Sequence, residues 1–279
     1  MKKGLKARVP EILLTLLLIV GIGIALYPWI SDWWNSQHQT QAIASYTEAV
    51  HDNSSERNQE LWDGAVAYNE TLSAGLGRFN LTDADRERYE STLDVTGTGI
   101  MAYVEIPKIN VDLPIYHGTD DTVLQVAIGH IPGSSLPVGG TGTHCVISGH
   151  RGLPSARLFS DIDQLREGDV FMLHVLGKTL TYQVDQIRTV LPNELDDLEI
   201  DPNLDLCTLV TCTPYGVNTH RLLVRGHRIP NEQLSTIQGD MSQVDPVLIA
   251  AVTTALALVV VVVVRAIRHV RLRRTLDVG

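Results

Sequence analysis

TLVTCTPYGVNTHRLLVRGHR, residues Thr208 to Arg228, contains two β-like runs around a turn. The first run, LCTLVTC, ends on Cys212, and the second, HRLLVRGHR, carries Arg221. Upstream, CVISGHRGLP puts His150 at the end of a third β-like run. A thiol, an imidazole and a guanidinium at three strand ends are the parts of a cysteine acyl-transfer site. The thiolate attacks a carbonyl, the imidazole manages the proton, and the guanidinium faces developing negative charge. Strand alternation puts Arg221 and Arg225 on one face, so periodicity does not choose between them.

Working outward, residues 97–230 read as β-structure. MAYVEIP (101–107), VDLPIYHG (111–118) and THCVISGH (143–150) are short strand-like runs. DVFMLHVLG (169–177) and KTLTYQVDQIRTV (178–190) read as a hairpin around Gly177-Lys178, and ARLFSDIDQL (156–165) as a short helix. Many short strands with few helices predict a mainly β fold closed into a barrel. Residues 31–96 are polar, with Tyr46, Val50, Leu61, Val66 and Leu72 at helical intervals, which predicts a helical stalk packed on the barrel. Thr82 with Asp85 predicts a capped helix over 83–92. Asn53, Asn69 and Asn80 open glycosylation triplets, a pattern common by chance.

The ends are apolar. Residues 12–30 and 247–264 carry no charge and are close to the roughly 20 residues a bilayer-spanning helix needs. The first has no small-x-small cleavage site directly after its apolar core, which favours a retained helix over a signal peptide. Lys2, Lys3, Lys6 and Arg8 precede the first span, and Arg265, Arg268, Arg271, Arg273 and Arg274 follow the second. By the positive-inside rule the tails, 1–11 and 265–279, are cytoplasmic and the middle is extracytoplasmic, reaching the second span through a linker at 231–246. Trp29, Trp33 and Trp34 suit the outer headgroup layer. The net charge is −10 although the tails are basic, so the middle is strongly acidic, which argues against nucleic acid as a partner.

The run TLVTCTPYGVNTHRLLVRGHR resembles the active-site segment of sortases, in particular the class C, pilus-assembling group. EIPKINVDLPIYHG, GHIPGSSLPVGG and ISGHRGLPSARLF resemble that group too, so the likeness covers roughly residues 97–228. It implies a closed sortase-type eight-stranded β-barrel on a membrane-anchored cysteine transpeptidase. It implies cleavage of an LPXTG-like sorting signal between Thr and Gly, and transfer of the acyl group to a lysine amine of a pilin. Residue by residue, Cys212 matches the nucleophile, His150 the catalytic histidine and Arg221 the catalytic arginine, leaving Arg225 to packing or support. His174, His220 and His227 are expected to be structural. An ordinary thiol is mostly protonated at neutral pH, and a nearby imidazolium and guanidinium lower its pKa. His150 can protonate the departing Gly amine and later deprotonate the lysine, and Arg221 can hold either substrate backbone or oxyanion.

One departure stands out. Class C sortases often carry an Asp-Pro-aromatic lid before the barrel, and residues 76–93 contain no such tripeptide. Arg78-Phe79-Asn80 is the nearest aromatic-bearing stretch, and otherwise the segment is a plain connector. Cys145 and Cys207 lie at equal offsets from His150 and Cys212. If the two strands are parallel neighbours, as sortases imply, the thiols meet and a Cys145–Cys207 disulfide, or at least contact, is expected outside the reducing cytosol. Without HExxH, CxxC or an acidic loop, no metal or cofactor is expected. Two rival functions remain: a housekeeping sortase that attaches proteins to peptidoglycan, and a non-catalytic membrane-tethered adhesin or scaffold.

Overall fold

The structure, a computed structural model, describes residues 9–72 and 75–231. Residues 27–238 form one compact unit, and residues 1–26 belong to a second. The expected linker at 231–246, second span at 247–264 and basic tail at 265–279 lie outside the described residues, apart from Asn231, as does most of the first tail.

Helix α1 runs unbroken over Val9–Asp52, so the first apolar stretch and the start of the stalk are one helix, with Pro28 inside it. It is long and apolar enough to cross a membrane. Helix α2 spans Ser55–Glu70, capped by the Ser54 side chain, and a 3₁₀ turn covers Leu76–Phe79. Helix α3, Asp83–Ser91, opens on the predicted capping box, in which Thr82 and Asp85 each satisfy the other's backbone N–H.

Eight strands then close a barrel: β1 Ile100–Ile106, β2 Val111–His117, β3 Ile128–His130, β4 Thr143–Ser148, β5 Val170–Val175, β6 Lys178–Val190, β7 Asp205–Thr213 and β8 His220–Ile229. Around the barrel the order is β1-β2-β3-β4-β7-β8-β6-β5. Closure leaves no open edge. Alternation sends Cys207 and Leu209 of β7 into the main core, with Cys145 and Ile147 of β4 and Val224 of β8. The intervening residues face outward.

Three expectations need adjustment. The three-residue β3 was not anticipated, because a run this short has no readable period. The β5–β6 turn is Leu176-Gly177, both at positive φ, since Val175 pairs with Lys178. Residues 156–165 form only a 3₁₀ turn at Ile162–Gln164. Leu158 sits at φ 39°, outside the right-handed helical region, and the segment is pinned on either side by Asp32 on Arg157 N–H and by the His150 carbonyl on Phe159 N–H.

Each pre-barrel helix is fastened to the barrel by one buried polar side chain. Tyr46 of α1 donates to the Met101 carbonyl (3.1 Å) and accepts from Leu176 N–H (2.9 Å). Asn69 of α2 accepts from Leu136 N–H (2.7 Å) and donates to its carbonyl (3.2 Å), which removes this asparagine from consideration as a glycan acceptor. Tyr89 of α3 donates to the His130 carbonyl and accepts from Gly118 N–H, both at 3.0 Å. Burial pushes the Tyr46 hydroxyl up to about 12, so it stays a neutral donor. Tyr46→Phe strips the Leu176 N–H and the Met101 carbonyl of this partner, and is expected to cost about 1–3 kcal/mol. Equilibrium denaturation checks this, and a loss under about 0.5 kcal/mol would show that the clasp contributes little.

Candidate active site

The parallel β4–β7 pair and the antiparallel β7–β8 pair bring the three predicted residues to one rim. Cys212 on β7 is the direct cross-strand partner of Arg221 on β8. Ser148 pairs with Val210 between β4 and β7. Two residues further on each strand come His150 and Cys212. The extension is held by bonds from Gly149 N–H to the Val210 carbonyl (3.0 Å) and from the Thr211 hydroxyl to the Gly149 carbonyl (2.7 Å). All three side chains are half-buried, accessible at the rim rather than sunk in the core.

Arg221 is braced at the start of its strand, its Nη1 donating to the His220 carbonyl (3.2 Å) and the Asn218 carbonyl (3.4 Å). Arg225 is placed differently. It pairs with Thr208, four residues before Cys212, and grips Asp185 of β6 through two hydrogen bonds of 3.0 and 3.2 Å. Asp185 occupies a bulge in the β6–β8 ladder and also lies 3.5 Å from His227. Strand periodicity could not separate the two arginines, and the bulge does so by giving Arg225 a carboxylate.

His150 begins a loop that folds over the end of β7. Arg151 forms an ion pair with Asp163 and donates to the Thr213 hydroxyl (3.4 Å), while its guanidinium lies 5.9 Å from the Tyr215 ring centroid. Gly152 sits at φ +74° with Tyr215 so close that an added Cβ would lie 2.9 Å from its ring. Tyr215 and Val217, in the loop after Cys212, are exposed.

Below Cys212 the outer face is apolar. Val146, Val210, Leu223 and Leu198 are buried together, with Phe79, Ile131, Val190 and Leu195 packed against them. Val210 precedes Cys212 by two residues, Leu223 follows Arg221 by two, and Val190 is the cross-strand partner of Arg221. Residues 76–79 are therefore not a plain connector. Phe79 packs against this apolar floor, and the buried Arg78 donates to the Leu198 carbonyl (2.5 Å) and the Gly75 carbonyl (3.1 Å). Only the aromatic at position 79 hinted at this.

Further along the same face the fully buried His144 shares a 2.7 Å bond with the Thr208 hydroxyl and a 2.8 Å bond with the Glu199 carbonyl. Burial lowers its pKa to about 4, so it is neutral at pH 7 and supports the fold without charge. Of the three histidines expected to be structural, His174 bonds Glu105 and Thr179, and His220 bonds Thr219. Among the described residues no group of three or more His, Cys, Asp or Glu side chains is arranged to hold a metal ion.

The chain is recognisable at this point by comparison. The Sortase domain family pattern matches residues 104–229. Sortase C1 of Streptococcus agalactiae is 51% identical, with 68% of this chain and 99% of that one covered, at a TM-score of 0.64. Sortase C-1 of Actinomyces oris is 45% identical over 62% of this chain and 99% of its own, at 0.58. Sortase C of Streptococcus pneumoniae is 42% identical over 73% and 100%, at 0.62. Among curated relatives, Sortase D of Bacillus subtilis is 28% identical over 64% of this chain and 87% of its own. The chain belongs to the sortase family of cysteine transpeptidases, and these solved neighbours are class C sortases.

Cys145 and Cys207 are register partners on neighbouring strands, and both are buried. In this structure both stand as free thiols. Between parallel strands the Cα–Cβ bonds of paired residues run side by side instead of converging, which is poor disulfide geometry. Burial and the neighbouring Cys145 raise the Cys207 thiol well above its ordinary range, so it stays protonated. A thiol-alkylating reagent is expected to modify only Cys212 in the folded protein and all three cysteines after unreduced denaturation. A single reactive thiol after denaturation would reveal a bridge.

Proposed function

We propose that this sortase is a pilus-assembling class C enzyme with Cys212 as nucleophile, His150 as proton carrier and Arg221 as charge stabiliser. The observation that carries the reading is the rim geometry, with Cys212 directly across from Arg221 and His150 two residues beyond the Ser148–Val210 pair. In the first half-reaction the Cys212 sulfur attacks the Thr carbonyl of an LPXTG-like signal. The tetrahedral oxyanion collapses, the Thr–Gly bond breaks, and His150 protonates the leaving Gly amine. The acyl chain remains as a thioester on Cys212. In the second, a pilin lysine amine attacks the thioester, His150 accepts its proton, and the Cys212 thiolate leaves as the isopeptide bond forms. Arg221 is one strand from the reacting sulfur, where a planar guanidinium can donate to the oxyanion or hold the substrate backbone.

The partly buried Phe79, Ile131, Val190 and Leu195, packed on the buried apolar floor, suit the Leu and Pro of such a signal. The likeness to class C sortases supports pilins as partners, and pilin substrate specificity is already discussed for the Streptococcus pneumoniae enzyme. The proposed topology is a cytoplasmic tail at 1–11, a span at 12–30, a stalk at 31–96, an extracytoplasmic barrel at 97–230, and a second span at 247–264 before a cytoplasmic tail.

Incubating the full-length protein with an LPXTG peptide and an amine acceptor tests the assignment. Cys212→Ala and His150→Ala are expected to abolish thioester capture, read by mass spectrometry. Arg221→Lys is expected to lower kcat about 10²-fold or more, the scale of losing an oxyanion donor. Arg225→Lys, which keeps a cation for Asp185, is expected to lose less than about tenfold. Greater damage from Arg225→Lys would reverse the arginine assignment.

A further inference from the structure

The loop that carries His150 is tied to the first helical turn beyond the apolar stretch of α1. Asp32 accepts the Arg157 backbone N–H at 2.7 Å. Asn35 donates its side-chain amide to the Ser155 carbonyl at 2.6 Å. Asp32 and Asn35 are three residues apart, so one face of the helix presents both. Trp33 and Trp34 of the same turn are 61% and 59% exposed. The sequence separations of 125 and 120 residues make this a tertiary clip, built by side chains of one element on the backbone of another.

The clip completes a set of restraints around His150. The loop closes on itself through Phe159 N–H to the His150 carbonyl (3.1 Å) and Gly152 N–H to the Ser160 hydroxyl (3.1 Å). Arg151, the residue after His150, bonds Thr213 beside Cys212. Ala156, Leu158 and Phe159 anchor its far side in the core. Between these anchors, Ser155 and Arg157 engage α1. Asp32 pins the Arg157 backbone next to Leu158, which sits at φ 39°, so it helps hold the loop in its non-helical course and His150 at the rim.

We propose that Asp32 and Asn35 are positioning residues for catalysis, which set His150 against Cys212 by clamping the 155–157 backbone to the turn of α1 beyond the apolar stretch. This rests on the reading of His150 and Cys212 as the reacting pair. The clamp touches neither the apolar floor nor Arg221, so its loss acts on the chemical step and not on substrate capture. Misplacement of a reacting group by about 1 Å can cost up to about 10²-fold in rate.

The test uses the full-length chain in detergent, with an LPXTG peptide and an amine acceptor. The double variant D32A/N35A is expected to lower kcat about tenfold, with KM changed less than about twofold. Asp32→Asn keeps an oxygen to accept the Arg157 N–H and is expected to retain kcat within about twofold. Hydrogen exchange of the peptide containing Arg157 is expected to quicken in the double variant while the β7 and β8 amides stay protected. Unchanged kcat, or unchanged exchange at Arg157, would overturn the proposal, as would a loss appearing only in KM. Should D32A/N35A fold poorly, Asn35→Ala alone keeps one bond of the clip and is expected to show a smaller kcat loss with the same unchanged KM. Cys212→Ala runs beside these variants. Turnover surviving in it would sink the site assignment itself, whereas its inactivity with a fully active D32A/N35A would sink the clamp alone.

Discussion

The parallel pairing of β4 with β7 is the constraint on which the site depends. Parallel strands advance in step, so a residue's height on one strand dictates its neighbour on the other. Pairing Cys145 with Cys207 sends His150 and Cys212 to the same rim. A slip of one residue would invert every side chain on β7, sending Cys212 into the core and Leu209 out. The pairing is held inside by Cys145, Ile147, Cys207 and Leu209 and outside by Val146 and Val210. Burial on both faces explains why these strands read as nearly continuous apolar runs. The two buried thiols belong to this packing, as small apolar groups filling the barrel where the strands meet.

The antiparallel β7–β8 pair adds the guanidinium and divides labour between two arginines on one face. Arg221 lies across from Cys212 and is braced by carbonyls at its own strand start. Arg225 lies four pairs lower and is neutralised by Asp185. A charge already paired with a carboxylate stabilises the sheet but has little left for a transient oxyanion. The bulge at Asp185 makes the difference, since it breaks the β6 alternation and brings the carboxylate to Arg225.

The segments before the barrel pack into the same unit as the candidate site. Tyr46, Asn69 and Tyr89 each exchange buried hydrogen bonds with barrel backbone, so the helices dock in one register. That docking sets Phe79 against the apolar floor and Asp32 and Asn35 against the His150 loop. The same chain that provides the membrane-length helix therefore borders the reaction rim on two sides.

Much of this was legible in the sequence because it is local. Alternating apolar runs in 101–118, 143–150 and 169–229, the Thr82–Asp85 capping box, and the setting of Cys212, His150 and Arg221 each lie within a few residues. Local stereochemistry and the sortase resemblance sufficed to read them. What the tertiary structure decided depends on partners far apart in the chain. The short β3 exists because β2 and β4 flank it. Residues 156–165 are not a helix because Leu158 is at φ 39° and distant groups pin the segment, Asp32 on Arg157 N–H and the His150 carbonyl on Phe159 N–H. Cys145 and Cys207 are paired in register as free thiols because β4 and β7 run parallel, and Arg225 is committed because a bulge on another strand supplies Asp185. Sequence spacing encodes which residues share a face. Which groups meet across strands is decided only when the barrel closes and each buried backbone group takes its partner.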